Sequence, residues 1–333
     1  MGDGMVWLIF VGSSAAIVFA AMKLAQYGDA IAVRTRLGGM FIGTLLLASA
    51  TSLPEVLTTI SSLSQGVPNM AAGNLLGSNM FNMLVLALLD LVNRQARILR
   101  RVAMRHALTA SLAALLIRQA AFFILADVDM QIGWVGGDSL LIMATYLMGV
   151  RLIQSSNPMT GGEVVAEAAL AGVPTLRRAL IGFAAAAGGL VVATPWLVRS
   201  SKEIADITGL SAGFIGTTLV AMVTSLPELV TTIAAVRIGA YDLAVGNLFG
   251  SNVFNIFALG LTDVLYLPGR FLGLIDPTFA LVALLGLLLT SLGLIGNLAR
   301  VERRLGFIEI DALMIIIGYF AGMWFLYVRG IGV

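Results

Sequence analysis

The chain has no cysteine and a single histidine, His106. Disulfides, thiolate metal sites and iron–sulfur clusters are therefore excluded, and one imidazole cannot build a zinc cluster. Any metal held by these residues is bound through oxygen, which favours hard cations such as calcium, magnesium or sodium. Charge is scarce too. Asp, Glu, Lys and Arg make up 11% of the 333 residues, against about 25% in a soluble domain. Hydrophobic residues reach 59% and the mean hydropathy is +0.97. Proline occurs only eight times, and two of those prolines stand directly before a glutamate inside an apolar run.

What the chain does have is long apolar stretches. A bilayer core takes about 20 apolar residues per helix. The sequence offers about ten such stretches, near 5–22, 38–63, 68–92, 104–126, 132–153, 178–198, 211–236, 241–266, 276–299 and 309–328. The start, Met1-Gly2-Asp3-Gly4, lacks the basic region of a cleaved signal peptide, so the first span is expected to be retained. Neither a lipidation motif nor an appended soluble domain is expected.

Basic residues mark the cytoplasmic side of a membrane protein. Lys23, Arg34 and Arg36 separate the first two spans, and Arg94, Arg97, Arg100, Arg101 and Arg105 the third and fourth. Arg151, Arg177 and Arg178 flank a linker expected at 154–177, Arg237 follows span seven, and Arg300, Arg303 and Arg304 precede span ten. These alternate loops hold about 15 of the 20 basic residues, whereas the other side receives Arg199, Lys202, Arg270 and Arg329. The pattern places both termini outside the cytoplasm, and the minimal chain suits a prokaryotic cytoplasmic membrane. It also accounts for the arginine run without nucleic acid. Lipid and inorganic cations are the expected partners, with no protein partner implied. Arg118, inside the fourth apolar run, is expected to snorkel or to face the bundle.

The strongest feature is an internal repeat. Residues 43–91 align without a gap on residues 216–264, at a constant offset of 173, and roughly half the positions are identical. The matches include Thr-Ser-Leu-Pro-Glu, Gly-Asn-Leu, Gly-Ser-Asn and Phe-Asn, which shared hydrophobicity does not explain. Span two and its counterpart, span seven, run in opposite directions, so the repeats are inverted. The expected fold is thus an all-α polytopic membrane protein, about ten transmembrane helices in two inverted five-helix halves, 1–153 and 178–333. That is the architecture of many secondary transporters, with a site near the midplane.

Glu55 and Glu228 occupy equivalent places within apolar spans. A carboxylate there costs at least about 2.5–3.5 kcal/mol on insertion scales and marks a functional position. No basic residue lies at a comparable depth in the repeats, which disfavours a buried ion pair. Pro54 and Pro227 break the local helical ladder, freeing carbonyls near Ala50 and Val223 that a cation would satisfy. Thr51 and Ser52 share a helix face with Glu55, as Thr224 and Ser225 do with Glu228. On the following spans Ser78 and Asn82 are four apart, as are Ser251 and Asn255. Two carboxylates with several neutral oxygens suit calcium. Gly73 with Gly77, and Gly246 with Gly250, form small faces for close helix packing.

At these residues the chain resembles the cation/calcium antiporter superfamily, whose best-known members are the sodium/calcium exchangers. The family motifs appear as Ala50-Thr51-Ser52-Leu53-Pro54-Glu55 and Val223-Thr224-Ser225-Leu226-Pro227-Glu228, followed by Gly77-Ser78-Asn79 and Gly250-Ser251-Asn252. Ala50 and Val223 stand where the family has glycine. The resemblance implies that Glu55 and Glu228 bind calcium, joined by Ala48, Thr51, Ser52 and Ser78 from one repeat and Ala221, Thr224, Ser225 and Ser251 from the other. Some sodium-coupled members carry Asp at one of the positions of Asn82 and Asn255. Here both are Asn, and the linker holds no large calcium-sensing domain.

Two ionised glutamates neutralise one calcium, two protons or two sodium ions. An empty, doubly ionised site resists closure, because burying uncompensated charge is expensive. The expected function is calcium exchange for sodium, with no cofactor. The alternative is proton coupling, since burial of a carboxylate favours its neutral form. A cation channel would need a continuous acidic pore and no counter-ion. A membrane enzyme would need a nucleophile–base pair or a metal–histidine motif, and the sequence offers neither.

Overall fold

Why two of the helices outrun the bilayer is visible at their ends. α1, Asp3–Thr35, opens with Asp3 in its first turn and closes with Arg34 in its last, each complementing the helix dipole. α6, Leu176–Thr208, is capped by Thr175, whose hydroxyl accepts from the Arg178 N–H, and ends on Gly209 at φ 69°. Each has 33 residues, about 50 Å of helix, which crosses a 30 Å core only by tilting or protruding. The sequence reading, 5–22 and 178–198, followed hydropathy and stopped where polar residues begin. Favourable end charges on α1 and caps on α6 go with the greater lengths.

The computed structural model describes residues 2–35, 48–92, 103–156, 173–298, 304–305 and 308–332. Residues 36–47, the arginine run at 94–101, the linker 157–172, and Arg300 and Arg303 lie outside them, along with the expectations made there. α2 covers 48–64, interrupted at Ser52 and resuming as Leu53–Ser64. α3 is Pro68–Val92, α4 Ala103–Ala126 and α5 Gly137–Ser156. α7, Ala212–Arg237, is discontinuous, with a π-helical stretch at Gly216–Val220 and a break at Ser225. α8 is Tyr241–Leu265, α9 Phe279–Leu298 and α10 Ile310–Arg329. Eight of these helices are long and apolar enough to cross a membrane, and α2 and α5 complete two inverted sets of five.

Two boundaries moved for local reasons. The fifth span was expected from 132, but β1, Gln131–Ile132, pairs antiparallel with β2, Val135–Gly136, around Gly133 at φ 69°. Only then does α5 begin. The ninth was expected from 276, yet Asp276 Oδ1 accepts from the Thr278 N–H at 2.7 Å and holds a cap ahead of α9. A second small hairpin, β3 at Arg304–Leu305 and β4 at Ile308–Glu309, precedes α10.

Buried side chains form two bodies. α3, α4, α5, α8, α9 and α10 share one apolar core. α1 and α6 form another, which reaches Met70 of α3 and Ile215, Val220 and Val223 of α7. Within that pair the Tyr27 ring lies directly over Gly182.

Because lipid is as apolar as leucine, helices in a membrane associate through close packing rather than the hydrophobic effect. α3 and α7 cross backbone against backbone. A Cβ on Gly73 would stand 2.8 Å from the Thr217 nitrogen, and one on Gly77 would meet the backbone and Cβ of Thr217 and Ala221. A Cβ on Gly250 of α8 would meet the Ala48 Cβ at 3.0 Å. Gly77→Ala is therefore expected to destabilise the protein by about 1–3 kcal/mol. Gly188→Ala, where nothing lies within 4 Å, should be neutral or stabilising, and thermal unfolding in detergent separates the two.

At one end of the bundle the loop after α8 is clamped to the β1–β2 hairpin. Asp263 accepts from the N–H groups of Gly136 and Phe271. The Arg270 guanidinium, 7% exposed, reaches Asp138 at 2.9 Å and Asp127 at 3.2 Å. Burial works against its charge, but the Asp138 and then the Asp127 contacts outweigh it and hold Arg270 above its usual pKa. Removing one partner of a buried pair costs about 3–5 kcal/mol. Arg270→Met should lower the unfolding temperature by several degrees, and adding Asp138→Asn should recover most of the loss. Arg118 is exposed on the stripe of α4 that carries Leu115, Phe122 and Leu125, so of its two expected placements the bundle interior is ruled out.

Candidate cation site

The centre is built from two helix breaks. At Ser52 (φ −86°, ψ 6°) and Ser225 (φ −89°, ψ 2°) the backbone leaves the helical region, and a new helix starts with Pro54 or Pro227 in its first turn. Proline is tolerated there because the missing N–H has no helical partner anyway. Neither serine caps its own helix. Each donates across to the other repeat instead: Ser52 Oγ to Glu228 Oε1 at 3.0 Å, and Ser225 Oγ to Glu55 Oε1 at 3.1 Å. The Ser225 N–H donates back to the Ala221 carbonyl at 3.1 Å, as the Ser52 N–H does to the Ala48 carbonyl at 2.9 Å, so the helical ladder runs up to each break.

Glu55 and Glu228 are wholly buried, and each accepts from a serine of the other repeat. No ion pair among the described residues involves either, and no group of three His, Cys, Asp or Glu forms among them. The centre therefore rests on two carboxylates and neutral oxygens. Each glutamate keeps one oxygen, Oε2, without a hydrogen-bond partner, and Ser78 Oγ, Asn82 Oδ1 and Asn255 Oδ1 are also buried and unpartnered. Ser251 Oγ donates to Glu228 Oε1 at 3.4 Å, so the two repeats are not identical here. Thr51 and Thr224 donate to the Ala48 and Ala221 carbonyls at 3.1 and 3.3 Å.

A polar layer, of which the sequence reading gave a role only to Asn82 and Asn255, surrounds these groups. Asn74 Nδ2 donates to the Glu55 carbonyl at 2.9 Å and to Thr59 Oγ1 at 3.2 Å, while its Oδ1 accepts from Thr224 at 3.0 Å. Asn247 donates instead to two hydroxyls, those of Thr231 and Thr232, while its Oδ1 accepts from Thr51 at 3.4 Å. Further along α3 and α8, Asn82 donates to Asn252 at 3.0 Å and Asn255 to Asn79 at 3.1 Å. The repeated Gly-Asn-Leu and Gly-Ser-Asn matches were the available signal.

The other ionisable positions lie elsewhere. His106 Nε2 stands 3.5 Å from Asp242 Oδ1 at the starts of α4 and α8.

Inverted halves meeting at a buried, doubly acidic centre define a membrane protein of the secondary-transporter class. The sodium/calcium exchanger protein family model matches residues 5–152 and 178–328, and the chain belongs to that family. Inner membrane protein YrbG of Escherichia coli is 31% identical over 276 residues, spanning 81% of this chain and 79% of that one. The sodium-calcium exchanger NCX_Mj shares the fold at TM-score 0.61 and 22% identity, covering 97% of this chain and 99% of that one. The H+/Ca2+ exchanger CAX does so at 0.66 and 15%, covering 98% and 89%.

Proposed function

We propose that this protein exchanges calcium for sodium across a membrane by alternating access, at a midplane site centred on Glu55 and Glu228. The observation that carries the reading is the set of buried oxygens without partners, contributed by both repeats: one from each glutamate, with Ser78, Asn82 and Asn255. Buried acceptors left unsatisfied are costly, and a hard cation with six to eight oxygen ligands satisfies them together. Thr51, Ser52, Thr224, Ser225, Ser251 and the carbonyls of Ala48 and Ala221 complete the proposed ligand set.

Moving parts follow from the two apolar bodies. The α1–α6 pair slides across the core that holds the site, exposing it to one side and then the other. The halves 1–153 and 178–333 are the units of this motion's symmetry, and the distribution of basic residues supports termini outside the cytoplasm. Membership of bacterial relatives supports a prokaryotic inner membrane.

A second reading, proton coupling, is favoured by one observation. Asn82 and Asn255 are both neutral amides, so no third carboxylate is present to balance a third sodium ion. Calcium uptake into proteoliposomes under an imposed sodium or proton gradient tests both. Uptake driven by one outward gradient names the counter-ion. Uptake with neither gradient contradicts exchange and indicates a channel.

A further inference from the structure

Each threonine of the proposed site has one hydroxyl proton and two acceptors within reach. Thr224 Oγ1 lies 3.0 Å from Asn74 Oδ1 and 3.3 Å from the Ala221 carbonyl. Thr51 Oγ1 lies 3.4 Å from Asn247 Oδ1 and 3.1 Å from the Ala48 carbonyl. The amides themselves cannot turn over freely. Asn74 spends its Nδ2 hydrogens on the Glu55 carbonyl and Thr59, and Asn247 spends its own on Thr231 and Thr232. With donors committed, each Oδ1 is held as an acceptor facing a threonine of the opposite repeat. Both asparagines are buried, at 0% and 1% exposure.

We propose that Asn74 and Asn247 are positioning residues that take the hydroxyl protons of Thr224 and Thr51, so that the threonine oxygens and one lone pair of each of the Ala221 and Ala48 carbonyls, the other accepting from the Ser225 or Ser52 N–H, are free to bind the cation. The inference rests on the proposed calcium site. When a cation enters, a proton left on an alanine carbonyl would occupy a lone pair that the cation needs. A transfer of that hydrogen bond to the amide frees two ligands at once, the carbonyl and the hydroxyl. No proton is exchanged with solvent, because the hydroxyl only rotates. The two repeats differ: Thr224 sits nearer its amide, and Thr51 nearer its carbonyl. Filling the site therefore requires a larger hydroxyl rotation at Thr51. Asn74 ties the Glu55 carbonyl of one repeat to Thr224 of the other, and Asn247 ties Thr231 and Thr232 to Thr51, so the two amides also register the halves.

The experiment is a double-substitution cycle in proteoliposomes, read as the half-saturating calcium concentration and the maximal rate. Asn74→Leu removes the acceptor at similar volume, and Thr224→Val removes the hydroxyl. Each alone should raise half-saturation about tenfold, with the maximal rate within about twofold. Together they should raise half-saturation by clearly less than the product of the two single effects, because the Thr224–Asn74 interaction is removed by both. Multiplying effects, or a loss confined to the maximal rate, would overturn the proposal. Should Asn74→Leu fail to elute as a folded protein, the cycle of Asn247→Leu with Thr51→Val makes the same test at the other repeat, with the same two outcomes. Glu55→Gln runs alongside. If it transports calcium normally, the proposed site is wrong. If it is inactive while the cycle is multiplicative, the site stands and the asparagine role fails.

Discussion

Replacing Glu55 or Glu228 with Gln should reduce calcium transport by at least about a hundredfold, with the protein still folded. In the proposed site a divalent cation would be neutralised by two buried carboxylates that have no basic partner among the described residues. Losing one leaves a net positive charge in a medium that cannot screen it, and breaking a buried pair costs about 3–5 kcal/mol, a factor of a hundred or more in affinity. Glutamine is nearly isosteric, and Ser225 can still donate to its amide oxygen in Glu55→Gln, so the helix breaks should survive. Each variant should therefore elute normally and unfold at a temperature near the parent's. Losses of the same order at both positions are expected, since each carboxylate is held by a serine of the other repeat. Transport measured as radioactive calcium uptake, alongside size-exclusion profiles, checks both halves of the statement.

The second large effect concerns motion. The absence of cysteine makes the chain a ready background for engineered cross-links. A Cβ placed on Gly28 of α1 would lie 3.7 Å from the Ala50 Cβ beside the α2 break, and one on Gly189 of α6 would lie 3.5 Å from the Ala20 Cβ of α1. Both suit a disulfide, whose Cβ atoms stand about 3.5–4.5 Å apart. The pair Gly28→Cys with Ala50→Cys fastens the moving helices to the core. Oxidation should cut transport at least about tenfold, and a reductant should restore it. The pair Ala20→Cys with Gly189→Cys joins α1 to α6 within one body, and its oxidation should leave transport within about twofold. Equal inhibition by both cross-links would contradict a sliding α1–α6 pair.

Much of this was legible in the residues. The repeat exposed the centre because inverted symmetry forces the same polar residues to recur at a fixed offset, and Glu55, Glu228, Ser52 and Ser225 stand out against apolar neighbours. The helix breaks were also legible in Pro54 and Pro227, although the breaks fall at the preceding serines. What sequence could not convey depends on contacts between the halves. Asn74 and Asn247 look like packing residues in a small-residue face, and their role emerges only when each amide meets a threonine about 150 residues or more away. The lengths of α1 and α6 were missed for another reason. Hydropathy ends where Lys23 or Ser200 begins the polar stretch, whereas capping and mutual packing continue the helix. The β1–β2 hairpin was hidden because Gln131–Gly136 adjoins an apolar run and only Gly133 betrays the turn.

Calcium binding to the purified protein, titrated with and without the counter-ion that drives uptake, tests the central claim most directly. One calcium per chain, displaced competitively by the counter-ion and lost in both glutamine variants, is the predicted result. Calcium and counter-ion bound together without weakening one another, or calcium retained in either variant, would contradict exchange at a shared site between Glu55 and Glu228.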